Sequence, residues 1–248
     1  MALHRDLAAA IGSLTVLRRL AAAASRESLA AGLAFYPIVG LALGAAGAGA
    51  AALVAMVFPP AAGPAGILVQ VVLAGGRPTA GLAAAAAALL RPGPPARVIA
   101  RLRASPGAPG VAVAACAVAA RATAAALLPA PARTTALLLA PMLGAWAVVV
   151  QCYGGTPVQA RGIAASLVGR ARFREFAWAS VVALGLTLSI GEPIGLIVVL
   201  VASLATVGMR VLAYRRLGGL TGRLLAATRE VVETAVFVVL GALASLHR

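Results

Sequence analysis

The sequence has no lysine and a single aspartate, Asp6, and its 248 residues carry only six acids in all. Charged residues make up 11% of the chain, whereas a soluble domain carries about 25%. That shortage excludes a soluble globule of this length, because too little polar surface exists to cover it. Lipid must cover much of it instead. No room is left for a separate soluble domain of ordinary size, so residues 1–248 read as a single integral membrane domain. Cysteine is scarce as well. Cys116 and Cys152 stand alone in apolar stretches, with no CxxC pair and no metal-ligand spacing, and read as small buried hydrophobes.

What the chain does have is apolar and basic. Hydrophobic residues are 62% of it and the mean hydropathy is +1.01. Its 21 basic residues, all arginine, give a net charge of +15 and a pI near 11.9. In a soluble protein that charge would point to nucleic acid. In a membrane protein cationic loops hold the chain in its orientation, so no nucleic-acid partner is expected.

A spanning helix needs about 20 mostly apolar residues. Seven stretches qualify as candidates: residues 33–58, 64–90, 111–128, 135–152, 176–190, 194–212 and 224–246. The second is interrupted by Gly75-Gly76-Arg77-Pro78, and only Gly191-Glu192-Pro193 separates the fifth from the sixth. The expected fold is an all-α polytopic transmembrane bundle of seven spans, or six if the fifth and sixth form a re-entrant pair. No small-residue cleavage site follows a short apolar region, so the first span reads as a retained anchor.

The loops support this count. Arg5, Arg18, Arg19 and Arg26 precede the first span, and Arg91, Arg97, Arg101 and Arg103 lie between the second and third. Arg161, Arg170, Arg172 and Arg174 follow the fourth, and Arg210, Arg215, Arg216, Arg223 and Arg229 cluster around the last connection. Seventeen of the 21 arginines thus fall on one side, while the alternate loops offer only Arg133 and Glu192. That side is expected to be cytoplasmic, with the N-terminus inside. Glycines at Gly40, Gly44, Gly47 and Gly49 are read as close helix packing in lipid rather than as a binding site.

Polar groups at membrane depth are expensive, so they mark the places to look for chemistry. Arg77 sits beside a double glycine and a proline, which reads equally as a broken helix lining a cavity or as a short loop. Arg121 lies midway along the third span with no acid nearby in sequence, and is expected to face a pocket. The last connection is Arg215-Arg216-Leu217-Gly218-Gly219-Leu220-Thr221-Gly222-Arg223. A glycine-rich turn entering a helix offers free N–H groups and a positive dipole end to a phosphate. Beyond it, Glu230 and Glu233 share one helix face. They suit a magnesium ion bridging phosphates, or pairing with Arg229, Arg223 or Arg216, and the pairing is the simpler reading.

Leu217-Gly218-Gly219-Leu220-Thr221-Gly222 followed by Glu230 and Glu233 resembles the C-terminal signature of the cobalamin synthase family, adenosylcobinamide-GDP ribazoletransferase. Other segments follow in order. Residues 35–44, Phe-Tyr-Pro-Ile-Val-Gly-Leu-Ala-Leu-Gly, look like that family's FPLVGLLLG, and residues 15–20 are similar to its N-terminal FLTRLP. Gly75-Gly76 with Gly81-Leu82-Ala83 matches the frame of GGxHLDGLAD. Arg103, Ser105, Gly107 and Gly110 match that of RDSRxGxxG with one residue deleted, and Arg121 stands where the family has a membrane lysine.

The resemblance implies a bacterial inner-membrane transferase of cobalamin biosynthesis. It would join adenosylcobinamide-GDP to α-ribazole or its 5′-phosphate, release GMP and use Mg2+. On that basis Glu230 and Glu233 are the candidate catalytic and metal residues. Gly75, Gly76, Arg103, Ser105, Arg121, Gly218, Gly219, Thr221 and Gly222 are the candidate substrate contacts. The implied partners are the corrinoid nucleotide, α-ribazole and the lipid bilayer, and a homo-oligomer or a membrane complex with other corrinoid enzymes is compatible with it. The departures are concentrated in the acids. The family's aspartates and histidines fall on Pro78, Ala80, Ala84, Ala87, Ala104, Pro109 and Arg223 of this chain. Magnesium-dependent catalysis is therefore expected to be weak or lost. Two alternatives stand beside the enzyme: a non-catalytic membrane paralogue that binds corrinoids or acts as a scaffold, and an anion transporter using Arg77 and Arg121.

Overall fold

The computed structural model describes residues 2–22, 24–160, 162–191 and 194–246. Arg161 and the Glu192–Pro193 connection, both used above to count loops, lie outside the described residues. Among these residues there are thirteen α-helices and no strand, only one isolated bridge between Pro157 and Leu220. In chain order the helices are α1 (Ala2–Leu14), α2 (Arg18–Ala22), α3 (Arg26–Ala31), α4 (Tyr36–Ala55), α5 (Ala62–Leu73), α6 (Arg77–Leu89) and α7 (Pro95–Arg103). There follow α8 (Gly107–Leu127), α9 (Ala130–Cys152), α10 (Ile163–Leu167), α11 (Phe173–Ile190), α12 (Gly195–Leu217) and α13 (Gly222–Leu246).

Among the described residues five helical stretches are long and apolar enough to cross a membrane: α3 to α4 as one, α8, α9, α11 and α12. A sixth is reached if α5 and α6 count as one broken span, and the two meet at a bend of 84°. The fifth and sixth expected spans are thus separate full-length helices. The seventh, α13, has 25 residues, about 37 Å of helix at 1.5 Å per residue. It carries too much charge to pass as a simple apolar span, and its Arg229, Glu230 and Glu233 are buried in the protein rather than turned to lipid.

Small residues explain how the bundle closes. A Cβ on Gly44 would lie 2.7 Å from the carbonyl oxygen of Leu137 and 2.8 Å from the Cα of Leu138, so α4 and α9 touch backbone to backbone. Gly40 meets Met142 in the same way, and Gly47 meets Gln70 on α5. The packing reading of these glycines holds for all but Gly49, which faces open space. Buried α9 forms the centre, with α13 laid against it and against the alanine-rich α6.

The arginines do more than set orientation. Several donate to carbonyls that the last turn of another helix leaves unpaired. Arg77 Nη1 donates to Ser13 at 2.9 Å at the end of α1, and its Nη2 donates to Thr15. Arg216 donates to Leu89 at the end of α6, at 2.6 Å. Arg223 donates to Ala104 after α7, and Arg210 to Val150 at the end of α9, both at 3.1 Å. These contacts, with the Val158–Leu220 hydrogen bond at 3.0 Å, gather the arginine-rich connections at one end of the bundle. Arg210 and Arg229, counted above with a loop, stand inside α12 and α13.

Candidate functional site

At the α5–α6 break, Gly75 and Gly76 have φ of +66° and +62°. Only glycine takes that left-handed conformation freely, and two in succession turn the chain sharply into α6. Arg77, first in α6, reaches back to the end of α1. Both alternatives weighed for it therefore meet here: a short connection separates α5, which ends at Leu73, from α6, and Arg77 borders a cavity of about 160 Å3 with Ser13, Tyr36, Pro78, Gly222 and Arg229. Its guanidinium is nonetheless engaged by carbonyls.

Arg121 and the two glutamates come together although 109 and more residues separate them in sequence. Arg121 on α8 pairs with Glu230, and its Nη1 lies 2.6 Å from Glu233 Oε2. Arg229 Nε holds the other oxygen of Glu233 at 2.7 Å, and Thr79 donates to Glu230 Oε2 at 3.3 Å. The four charges cancel inside the bundle, where an unpaired one would be costly. Arg121 is a buried counter-charge rather than a cation facing open space. The pairing reading of Glu230 and Glu233 is the observed one, with Arg229 among the arginines foreseen and Arg121 added.

The glycine turn before α13 has its own structural reasons. Gly218 ends α12 at φ +73°, and Leu220 N–H donates to Thr156 at 2.8 Å. Gly219 sits so close to Thr156 that a side chain would collide with its carbonyl. Thr221 caps α13, its Oγ1 accepting from Leu224 N–H at 3.3 Å. The N–H groups of Gly222 and Arg223 follow in the first turn, where helices have no internal acceptor. They border a cavity of about 290 Å3 lined by Arg103, Gln159, Thr221, Gly222 and Arg223. Arg103 and the turn, far apart in the sequence, thus share one recess.

Ser105 lies in a neighbouring cavity of about 260 Å3 between the end of α6 and the start of α8. Three of the positions where the resemblance places acids or histidine, Ala87, Ala104 and Pro109, line this same cavity. Its charged residues are Arg91 and Arg101, and Arg223 is fastened to Ala104 at its edge. These three positions converge, and the charged groups beside them are basic. Arg91, Arg101 and Gln159 were not singled out from sequence. The arginines were read only as topological signals, and their shared cavity depends on the α6–α8 packing, which no local spacing displays. Ala80 is exposed and Ala84 is packed away in α6, so neither faces this recess.

Magnesium takes oxygen ligands, usually with one or two carboxylates among them. Among the described residues no carboxylate lines either cavity beside Arg223. Every oxygen of Glu230 and Glu233 faces an arginine or a hydroxyl. Among the described residues no group of three or more His, Cys, Asp or Glu comes together. The residues present do not fit the ion.

The family model described as cobalamin-5-phosphate synthase matches residues 6–241. No curated protein and no solved structure matches the chain.

Proposed function

The chain belongs to the cobalamin-5-phosphate synthase family, and on that premise we propose that it joins adenosylcobinamide-GDP to α-ribazole or its 5′-phosphate with release of GMP. In this reading its arginine end faces the cytoplasm of a bacterial inner membrane. A ribose hydroxyl oxygen bonds to the phosphorus next to cobinamide, and the bond from that phosphorus to the GMP oxygen breaks. The observation that carries the proposal is the meeting of Ala87, Ala104 and Pro109 in one cavity with Arg91 and Arg101. This supports reading the cavity as a substrate cleft of the family, with guanidinium groups beside the positions where acids would stand.

Guanidinium groups hold phosphate oxygens with paired hydrogen bonds and a permanent charge. Arg91, Arg101, Arg103 and Arg223 surround the two adjoining cavities and would take the diphosphate directly. They would also stabilise charge developing on the departing GMP. Among the described residues no carboxylate or imidazole lines either cavity, so none of them offers the ribose hydroxyl a general base there. Turnover is expected to be slower by about 10²–10⁴-fold, the usual size of that contribution.

Purified protein in detergent, given both substrates, tests this. Slow product formation that EDTA leaves unchanged and Arg101→Ala abolishes is the expected result. Tight binding of the corrinoid nucleotide without product would instead favour the paralogue that binds and does not catalyse, a reading to which the missing base lends weight. The transporter reading loses Arg121, whose guanidinium is held by two buried glutamates.

A further inference from the structure

The cavity of about 510 Å3 between α3 and the start of α11 belongs to neither recess described above. It is lined by Glu27 on α3, by Arg170 and Arg172 in the preceding connection, and by Arg174 and Glu175 in the first turn of α11. Glu175 is spoken for: Arg172 N–H donates to it at 3.0 Å and Arg174 pairs with it at 3.0 Å. Among the described residues Arg170 and Arg172 have no carboxylate partner, and exposed Glu27 has no cation partner. The cavity thus offers separate positive and negative groups to a ligand bearing both charges.

Its position says where such a ligand comes from. Both walls stand where spans enter the membrane, with α4 beginning just after α3 and α11 beginning at Phe173. Arg174, Trp178, Val181, Gly185 and Leu188 are exposed at helical spacing along a single stripe of α11. The arginine stands at its head, and Trp178 lies one turn below, the level that aromatic side chains favour at a membrane surface. A Cβ on Gly185 would meet nothing within 4 Å, leaving a shallow groove in the stripe. A molecule with a charged end in the cavity would have its apolar part run down this face. Basic pockets at the ends of spans are a known way of holding lipid headgroups.

We propose that this cavity binds the headgroup of a phosphatidylethanolamine-type phospholipid, with its phosphodiester on Arg170 and Arg172 and its primary ammonium on Glu27. The ammonium sets the choice of lipid. It donates hydrogen bonds to a carboxylate, whereas the quaternary ammonium of phosphatidylcholine has none to donate. Phosphatidylglycerol would leave Glu27 facing uncharged hydroxyls.

Native mass spectrometry of the full chain, released from nanodiscs of equal phosphatidylethanolamine, phosphatidylcholine and phosphatidylglycerol, tests the assignment. The protein should retain phosphatidylethanolamine above phosphatidylcholine by about two- to fivefold, the range for an exposed charge pair. Glu27→Gln should bring that ratio to one, and Arg170→Ala with Arg172→Ala should lower retention of both lipids. Glu27 is exposed and unpaired, so its variant leaves the fold intact. Equal retention of the two lipids by the unaltered protein would overturn the proposal. So would a preference for phosphatidylglycerol that ignores Glu27→Gln, which would mark a merely basic surface. Full competition by soluble glycerophosphoethanolamine would also overturn it, showing a soluble zwitterion as the ligand.

Discussion

Arg121 Nη1 on α8 and Glu233 Oε2 on α13 lie 2.6 Å apart, and both side chains are almost fully buried. Losing one partner leaves the other charged groups uncompensated. Arg121→Met is expected to destabilise the protein by about 3–5 kcal/mol. Adding Glu230→Gln restores neutrality around the remaining Arg229–Glu233 pair and should recover much of that loss. Thermal unfolding in detergent measures both, and additive losses would show that the groups do not act as one unit.

A second expectation concerns the reversed charge. Ala87 and Ala104 line one cavity and Arg223 is bonded at its edge. Ala87→Asp, Ala104→Asp and Arg223→Asp together should create a divalent-cation site that the unaltered chain lacks. Mn2+ titration followed by electron paramagnetic resonance reads it directly. At a hundredfold excess over its dissociation constant the ion should stabilise the triple variant by about 2.7 kcal/mol. Absence of binding would mean that the three positions do not converge.

Gly44 and Gly49 provide a matched comparison within α4. A side chain at Gly44 meets the α9 backbone, while one at Gly49 meets nothing within 4 Å. Gly44→Ala should cost more than about 1 kcal/mol through overpacking. Gly49→Ala should be neutral or gain up to about 1 kcal/mol from helix propensity. Equal effects in unfolding measurements would contradict the close α4–α9 approach.

Arg77 holds the end of α1 through the carbonyls of Ser13 and Thr15. Arg77→Ala leaves these acceptors without their charged donor, a contribution of about 1.5–3 kcal/mol. Amide hydrogen exchange should rise in α1 and stay unchanged in α9. A uniform rise would indicate general destabilisation instead.

Much of the fold was legible because apolar length and the arginine pattern are local signals. The break at Gly75-Gly76 and the helical stretches all appear where composition places them, with ends shifted by a few residues. The number of spans was less legible. Whether α13 sits in lipid or in protein depends on where Arg229, Glu230 and Glu233 find partners, and Arg121 lies on another helix. Nor could spacing reveal that Arg210 and Arg216 finish the ends of α9 and α6, since their acceptors are 57 to 127 positions away. Motif order grouped Arg103 with the glycine turn among the candidate contacts, and the two do share one recess. Ser105 lines the adjoining one, just past Ala104, where α7 gives way to extended backbone. The sequence also made the missing acids visible, but not the arginine walls that replace them.

The ion pairs that tie α8 to α13 also impose an order on biosynthesis. Arg121 emerges from the ribosome long before Glu230 and Glu233, 109 and 112 residues further on. Until then α8 must enter the bilayer with a lone cation, a penalty of about 2.5–3.5 kcal/mol at a helix centre. Its remaining alanines and valines must carry it in. The carbonyl of Leu14 waits longer still for Arg229, 215 residues downstream. The nascent chain is therefore an open assembly until its last helix arrives, and a truncation before Glu230 should leave α8 poorly inserted rather than merely inactive.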